Sequence, residues 1–296
     1  MDWSDSCLDA LGTRIFDFIG AEFFYEDCHR LFLSRRWYAF AWPVFIQKVL
    51  LTARTLFKLA DDEERLKQRL SGATVINISL HNAKATKEGL HTPVRRALFQ
   101  LGAVLRRSRD SSVAGKVKPL NLRIHTEKTS LLACYLVPYC SVQNLTSLEL
   151  DLVEFPGPIA QSEHEHLCKW INLLLPSLKR LRCRMGLMCE CLLDPPKDGT
   201  RVNLEELIIN LIHPVSLPGA AIEGGYNAYR KPAWCRWSAN RRTMVVTKEF
   251  IIDAAAAFAK HMPNPRMVRV IDLVAADCRP YAVDVLKRRH TCFLFT

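Results

Sequence analysis

The chain carries eleven cysteines and nine histidines, the residue types best suited to metal binding or nucleophilic chemistry, and their spacing decides what they can do. His164-Glu165-His166, with Cys168 two residues further on, comes nearest to a metal-ligand cluster. On an α-helix, positions i and i+2 point about 200° apart, so two such histidines cannot close on one ion. No HExxH arrangement is present. Cys189-Glu190-Cys191 lacks a second pair at zinc-finger spacing, and no CxxC occurs. A cysteine–histidine pair could supply a nucleophile and its base, but no local signature of such an enzyme surrounds any of these residues. Phosphate-cradling GxxxxGK[ST] and GxGxxG motifs are absent as well, and Gly219, Gly224 and Gly225 are too irregular to form either. The expectation is a non-enzymatic protein with no cofactor and no metal, and a cysteine-dependent enzyme is the third-ranked reading.

The elements that would position any site must come from 296 residues, 49% hydrophobic and 24% charged, a composition suited to one large or two smaller folded domains. No apolar run reaches the roughly 18 residues of a membrane span. The opening MDWSDSCLDA is acidic and lacks the basic-then-apolar order of a signal peptide. A cytoplasmic or nuclear location with no membrane partner is expected. Scattered cysteines in odd number are not a disulfide framework, and most read as small buried apolar groups. The formal charge of +11 favours acidic partners. Its clusters are Arg35-Arg36, Arg95-Arg96, Arg106-Arg107-Ser108-Arg109, the stretch from Arg230 to Arg242, and Lys287-Arg288-Arg289. They are dispersed, as solvated faces are, so nucleic acid is not the expected partner.

An apolar–x–x–apolar–x–apolar pattern recurs along the last three quarters of the chain. Its copies are Val75-x-x-Ile78-x-Leu80, Val117-x-x-Leu120-x-Leu122, Leu145-x-x-Leu148-x-Leu150, Leu178-x-x-Leu181-x-Cys183, Leu204-x-x-Leu207-x-Ile209 and Val268-x-x-Ile271-x-Leu273. Helical patterns lie between them. Thr92-Pro93 starts one, with Val94, Ala97, Leu98, Leu101, Val104 and Leu105 on one face. Residues 160–175 present Leu167, Trp170, Ile171 and Leu174. Thr247 caps a helix carrying Phe250, Ile251, Ala254 and Phe258 that stops at Pro263. Each unit reads strand, turn, helix, and right-handed crossovers of that kind lay successive strands parallel and adjacent. A solenoid is the predicted result; a compact α/β sandwich is the alternative. The apolar ending CFLFT is expected to be closed by another strand or to belong to a longer chain.

Residues 8–56 read differently, as short helices. Leu8, Leu11, Ile15 and Ile19 mark one amphipathic face. Glu26-Asp27 opens a second helix with Cys28, Leu31 and Phe32 inward. A third holds Leu33, Trp37, Phe40 and Ala41 inward and is ended or kinked by Pro43. Residues 57–72 are read as a linker helix. Within 73–296, the segment 213–246 interrupts the repeat with Trp234, Arg236 and Trp237 among several other arginines. It is open to three readings: an insertion packed on the flank, a target-binding loop, or a nucleic-acid contact.

The strand pattern resembles the leucine-rich repeat in an irregular, intracellular α/β form, over about residues 73–296. Leu33-Ser34-Arg35-Arg36-Trp37-Tyr38 is similar to the V-x-[KR]-R-W-Y ending of an F-box, especially the fungal kind placed before leucine-rich repeats. The opening Cys7-Leu8-Asp9-Ala10-Leu11 lacks the proline and glutamate of that family. The resemblance implies an irregular leucine-rich-repeat solenoid preceded by a three-helix F-box-like head. It also implies a substrate-recognition adaptor of an SCF-type E3 ubiquitin ligase. The head would dock a Skp1-like adaptor protein through Leu11, Ile15, Ile19, Leu31, Leu33, Trp37 and Tyr38, and the repeats would bind an unknown target protein. The second reading is an interaction scaffold whose head only caps the repeats.

Overall fold

In the computed structural model the described residues are 15, 23, 26–60, 62–70, 72–80, 85–86, 89–90, 92–110, 119–126, 139, 142, 144–152, 167–185, 188, 190–195, 201–211, 228–230, 245–274 and 279–292. Alternation of apolar and polar residues builds the sheet. Its strands are β1 (Lys48–Thr52), β2 (Val75–Ser79), β5 (Leu120–Thr126), β6 (Leu145–Leu152), β7 (Arg180–Met185), β8 (Glu206–Leu211), β11 (Met267–Val274), β12 (Arg279–Asp284) and β13 (Arg289–Cys292). They are ordered β1-β2-β5-β6-β7-β8-β11-β12-β13 in one open sheet. The first seven run parallel, each beside its neighbour in the chain. Two antiparallel pairings add β12 and β13. Two small ribbons stand apart: β3 (Ala85–Thr86) with β4 (Gly89–Leu90), and β9 (Ala228–Arg230) with β10 (Val245–Thr247). The protein is thus a mixed α/β fold with a mostly parallel sheet.

Register turns that alternation into two continuous apolar rows across the seven parallel strands. One row runs Val49–Ile76–Leu122–Leu148–Leu181–Leu207–Val268 and the other Leu51–Ile78–Ile124–Leu150–Cys183–Ile209–Val270. All fourteen side chains are buried. At about 1.5–3 kcal/mol for burying a large aliphatic side chain, these rows dominate the energetics of the sheet.

Among the described residues, six α-helices with defined bounds accompany the sheet: α1 (Arg35–Gln47), α2 (Ala53–Ala60), α3 (Glu63–Leu70), α4 (Thr92–Asp110), α5 (Leu167–Leu174) and α6 (Lys248–Ala259). Buried residues of α2 to α6 join the two rows in one core, while the alternate residues of the strands stay partly accessible. Helices therefore cover one face of the sheet and leave the other polar. In α4 the residues facing the core are Ala97, Leu98, Leu101, Val104 and Leu105, as the periodicity predicts. Tyr139 reaches under this helix and donates its hydroxyl to the Leu98 carbonyl at 3.0 Å. In α5 Cys168 is fully buried beside Ile171 and Leu174, where the sequence reading has Trp170 on that face.

All six sequence repeats fall on strands of this sheet, but three are out of register. At β2 the aligned pair is Ile76 and Ile78, not Ile78 and Leu80; at β5 it is Leu122 and Ile124, not Leu120 and Leu122. Both are shifts by two residues, which preserve the buried face. At β11 the aligned residues are Val268 and Val270, not Ile271 and Leu273. That odd shift sends Ile271 to the polar face, because successive side chains of a strand alternate sides.

The sheet also begins earlier than expected. β1 lies inside the segment 8–56 that reads as all-helical, yet it pairs with β2 through five residues. Residues 57–72 are not a free linker, since Leu59, Leu66 and Leu70 belong to the main core. A second, smaller cluster sits ahead of the sheet: Leu31, Ala41 and Val44, with Phe23, Trp37, Tyr38, Phe40 and Phe45 packed against it.

Candidate functional site

Local capping explains how that small cluster forms. A 3-10 turn, Cys28–Phe32, opens with Asp27, whose carboxylate accepts from the His29 backbone N–H at 3.0 Å. Ser34 then caps α1 by accepting from the Trp37 backbone N–H at 3.0 Å. Counting the helix from Arg35 turns Trp37, Ala41 and Val44 inward at i, i+4 and i+7. Leu33 precedes the cap and so escapes that face; it is 69% exposed, and Phe32 is 66% exposed. Both were expected inward, as was Cys28, which is exposed. The indole N–H of Trp37 donates to the Arg30 carbonyl, which locks the turn to the helix. Pro43 does not end α1, which continues to Gln47. The carbonyl its missing N–H would have bonded belongs to Ala39, on the exposed side of the helix, where water can satisfy it.

The outer side of this unit carries a run of rings. Phe32 stacks on Tyr38 (centroids 5.8 Å apart), Tyr38 on Trp42 (5.4 Å), and Trp42 leans on Phe45 (5.7 Å). Phe32 and Trp42 are open to solvent. Of the docking residues expected from the sequence, Leu31 is buried, Leu33 is exposed, Trp37 and Tyr38 are half-buried, and Ile15 is an exposed helical residue. Leu11, Ile19, Trp234, Arg236 and Trp237 lie outside the described residues, as do His164 and His166. The rings Phe32 and Trp42 were missed as surface residues, although Tyr38-x-x-x-Trp42 is a one-turn repeat visible in the sequence.

The polar face of the sheet holds a second arrangement. In adjacent strands, Arg123, Glu149 and Arg182 share one cross-strand row, and His125, Asp151 and Arg184 the next. Arg180 stands opposite Glu206. Glu149 lies 3.1 Å from Arg123 Nε and 3.6 Å from Arg182 Nη1. Asp151 has His125 Nδ1 at 3.4 Å and Arg184 Nε at 2.7 Å. The second contact brings opposite charges together without a well-aligned hydrogen bond. Ser79 pairs with His125, so serine, histidine and aspartate stand side by side. Acyl-transfer chemistry also requires free donors for a developing oxyanion, and the strands β2, β5 and β6 are hydrogen-bonded to neighbours on both sides. The row reads as an ion-pair ladder. Nor do the parallel strands reverse their order, the topology that opens a ligand crevice at their carboxyl ends in doubly wound folds.

Asp27, Cys28 and His29 offer ligand atoms within 4.8 Å of one another. They are consecutive and exposed, and the Asp27 carboxylate already caps the turn and faces Arg30 Nε at 4.0 Å. Cys168, Cys183 and Cys191 are buried cysteines outside any disulfide. Burial pushes the Cys183 thiol above its ordinary value of 9.0, which disfavours the reactive thiolate. Thiol labelling with peptide mapping should therefore modify Cys28 in the native protein and Cys183 only on unfolding. Stability should decline as pH rises past 9.0: unfolded Cys183 ionises there while the folded thiol stays protonated. Replacing Cys183 with valine should remove that contribution, and native labelling of Cys183 as fast as Cys28 would contradict its placement.

What these features define is a mixed α/β protein with an open, mostly parallel sheet, a ring-bearing helical unit ahead of it and a charged face. Among the described residues no helix is long and apolar enough to cross a membrane. Compared with protein-family models, with curated proteins and with solved structures, the chain finds no match.

Proposed function

We propose that the protein is a non-enzymatic recognition adaptor, in which the helical unit docks a Skp1-like protein and the polar sheet face holds a target for ubiquitination. The observation that carries this reading is the pairing of two parts. A helical unit with its own small core presents a run of rings in which Phe32 and Trp42 are open to solvent. Directly behind it stands a sheet whose parallel strands follow chain order. That order and the strand–helix alternation are what a leucine-rich-repeat solenoid would have. The Arg35-Arg36-Trp37-Tyr38 segment of the F-box resemblance forms the first turn of α1.

Capture of Skp1 by the full-length chain tests it. Leu33→Asp should abolish capture while leaving thermal unfolding unchanged, because Leu33 is exposed. Absence of capture, or capture indifferent to Leu33→Asp, would sink the adaptor reading.

The second reading, a scaffold whose helical unit only caps the sheet, has its own support. α1 passes into β1 without an intervening residue, and its last carbonyl, on Gln47, accepts the Thr74 N–H at 2.8 Å. A Cβ at Gly72 would lie 2.8 Å from Ile46 Cδ1, so this end of α1 is seated on the turn before β2. The scaffold reading expects no Skp1 capture.

A further inference from the structure

The ladder on the polar face is layered by depth, and the layering points to the chemistry of what that face would hold. In each arginine–carboxylate pair the carboxylate is the lower member. Side-chain exposure is 23% for Glu149 against 48% for Arg123 and 57% for Arg182. It is 26% for Asp151 against 40% for Arg184, and 29% for Glu206 against 59% for Arg180. Glu205 and Arg266, one residue before β8 and β11, repeat the order. Exposed ion pairs of this kind contribute little to stability, so their main consequence is orientation. A carboxylate held at the level of the sheet tethers each guanidinium by one nitrogen: Nε in Arg123, Arg180 and Arg184, and Nη1 in Arg182. A guanidinium has five N–H donors, so each arginine keeps donors beyond that contact, and each is the more exposed member of its pair. The surface offered to a partner is cationic although the rows are nearly balanced in charge.

We propose that this face binds an extended acidic segment of a target protein, with carboxylates at alternate positions. The proposal rests on the reading of the sheet face as the target-holding surface. Arg180, Arg182 and Arg184 stand at alternate positions of β7, about 6.6 Å apart at the usual rise of a strand. An extended segment lying along β7 repeats its own side chains at the same interval, so each glutamate meets one guanidinium, a pairing suited to bidentate contact. Nucleic acid fits less well. The outward positions of β5 to β8 hold no Phe, Tyr or Trp for base stacking, their one imidazole, His125, is paired with Asp151, and the interleaved carboxylates would repel a continuous phosphate backbone.

Fluorescence anisotropy with the full-length chain tests the proposal, using labelled peptides that alternate alanine with glutamate, glutamine or lysine, and oligothymidylate as a polyanion. The glutamate peptide should bind and be released by salt, and the glutamine peptide should not bind. Arg182→Ser with Arg184→Ser should weaken binding by about tenfold or more, with an unchanged circular dichroism spectrum. Arg182→Glu should shift preference toward the lysine peptide. Equal binding of glutamate and glutamine peptides, or indifference to the double variant, would overturn the proposal. So would oligothymidylate binding as tightly as the glutamate peptide, since that marks a general polyanion surface. Skp1 capture separates the two claims: the double variant should still capture Skp1, capture by the unsubstituted chain without glutamate-peptide binding removes only the acidic-segment inference, and peptide binding without capture removes only the adaptor reading.

Discussion

Leu150→Ala is expected to lower the free energy of unfolding by about 2–5 kcal/mol, the cost of a buried leucine truncation. Leu150 is fully buried in the second apolar row, between Ile124 and Cys183 on the neighbouring strands. Hydrogen-bonded strands on both sides hold the backbone in place, so the cavity cannot collapse, which sets the cost toward the upper part of the range. The control is a leucine of opposite placement: Leu33→Ala, 69% exposed, should change stability by no more than about 0.5 kcal/mol. Urea unfolding of the two variants measures both. If Leu33→Ala proved the costlier, the two leucines would have to exchange environments, and both the sheet register and the exposed position before α1 would be wrong.

Trp37→Ala should have the next largest effect, and a local one. Truncation removes the half-buried ring and the donor to the Arg30 carbonyl. A loss of about 2–3 kcal/mol is expected, below the value for a fully buried tryptophan. Trp37→Phe keeps most of the ring and should cost about 1 kcal/mol, the worth of the hydrogen bond. Because the small cluster around Leu31, Ala41 and Val44 is separate from the main core, hydrogen exchange should accelerate in α1 and remain slow in β6 and β7. Equal acceleration in β6 would show that helical unit and sheet unfold together. The same substitution is a poor probe of docking, since it loosens the unit that carries the ring face; Leu33→Asp is the cleaner one.

Much of the sheet was legible in the sequence because two physical signals coincided. Leu148 and Leu150, Leu181 and Cys183, and Leu207 and Ile209 each have a third apolar residue three positions earlier (Leu145, Leu178, Leu204), and all of these are buried. Where the third residue is absent the pattern slides. Around β11 the residue three before Val268 is Pro265, so the matching apolar triplet shifts to Val268, Ile271 and Leu273, and with it the predicted face. β1 was missed because KVLLT directly follows a helix and presents Leu50 on the polar face, where alternation would call for a polar residue. The exposed Leu33 was misplaced because its distance from Trp37 equals one helical turn, while the chain changes from a 3-10 turn to an α-helix between them at Ser34. The charged ladder was invisible for a different reason. Arg123, Glu149 and Arg182 are far apart in the chain, and only the register of three strands brings them together.

The order of the parallel strands bears on how the protein is made. Each of them finds its partner in the parallel strand synthesised just before it, so assembly does not have to await a segment still inside the ribosome. β6 can settle on β5 while β7 is being translated, and each addition covers the apolar edge left by the last. Large parallel sheets that interleave distant strands hold unpaired edges open until late in synthesis; here the exposed edge advances with the chain.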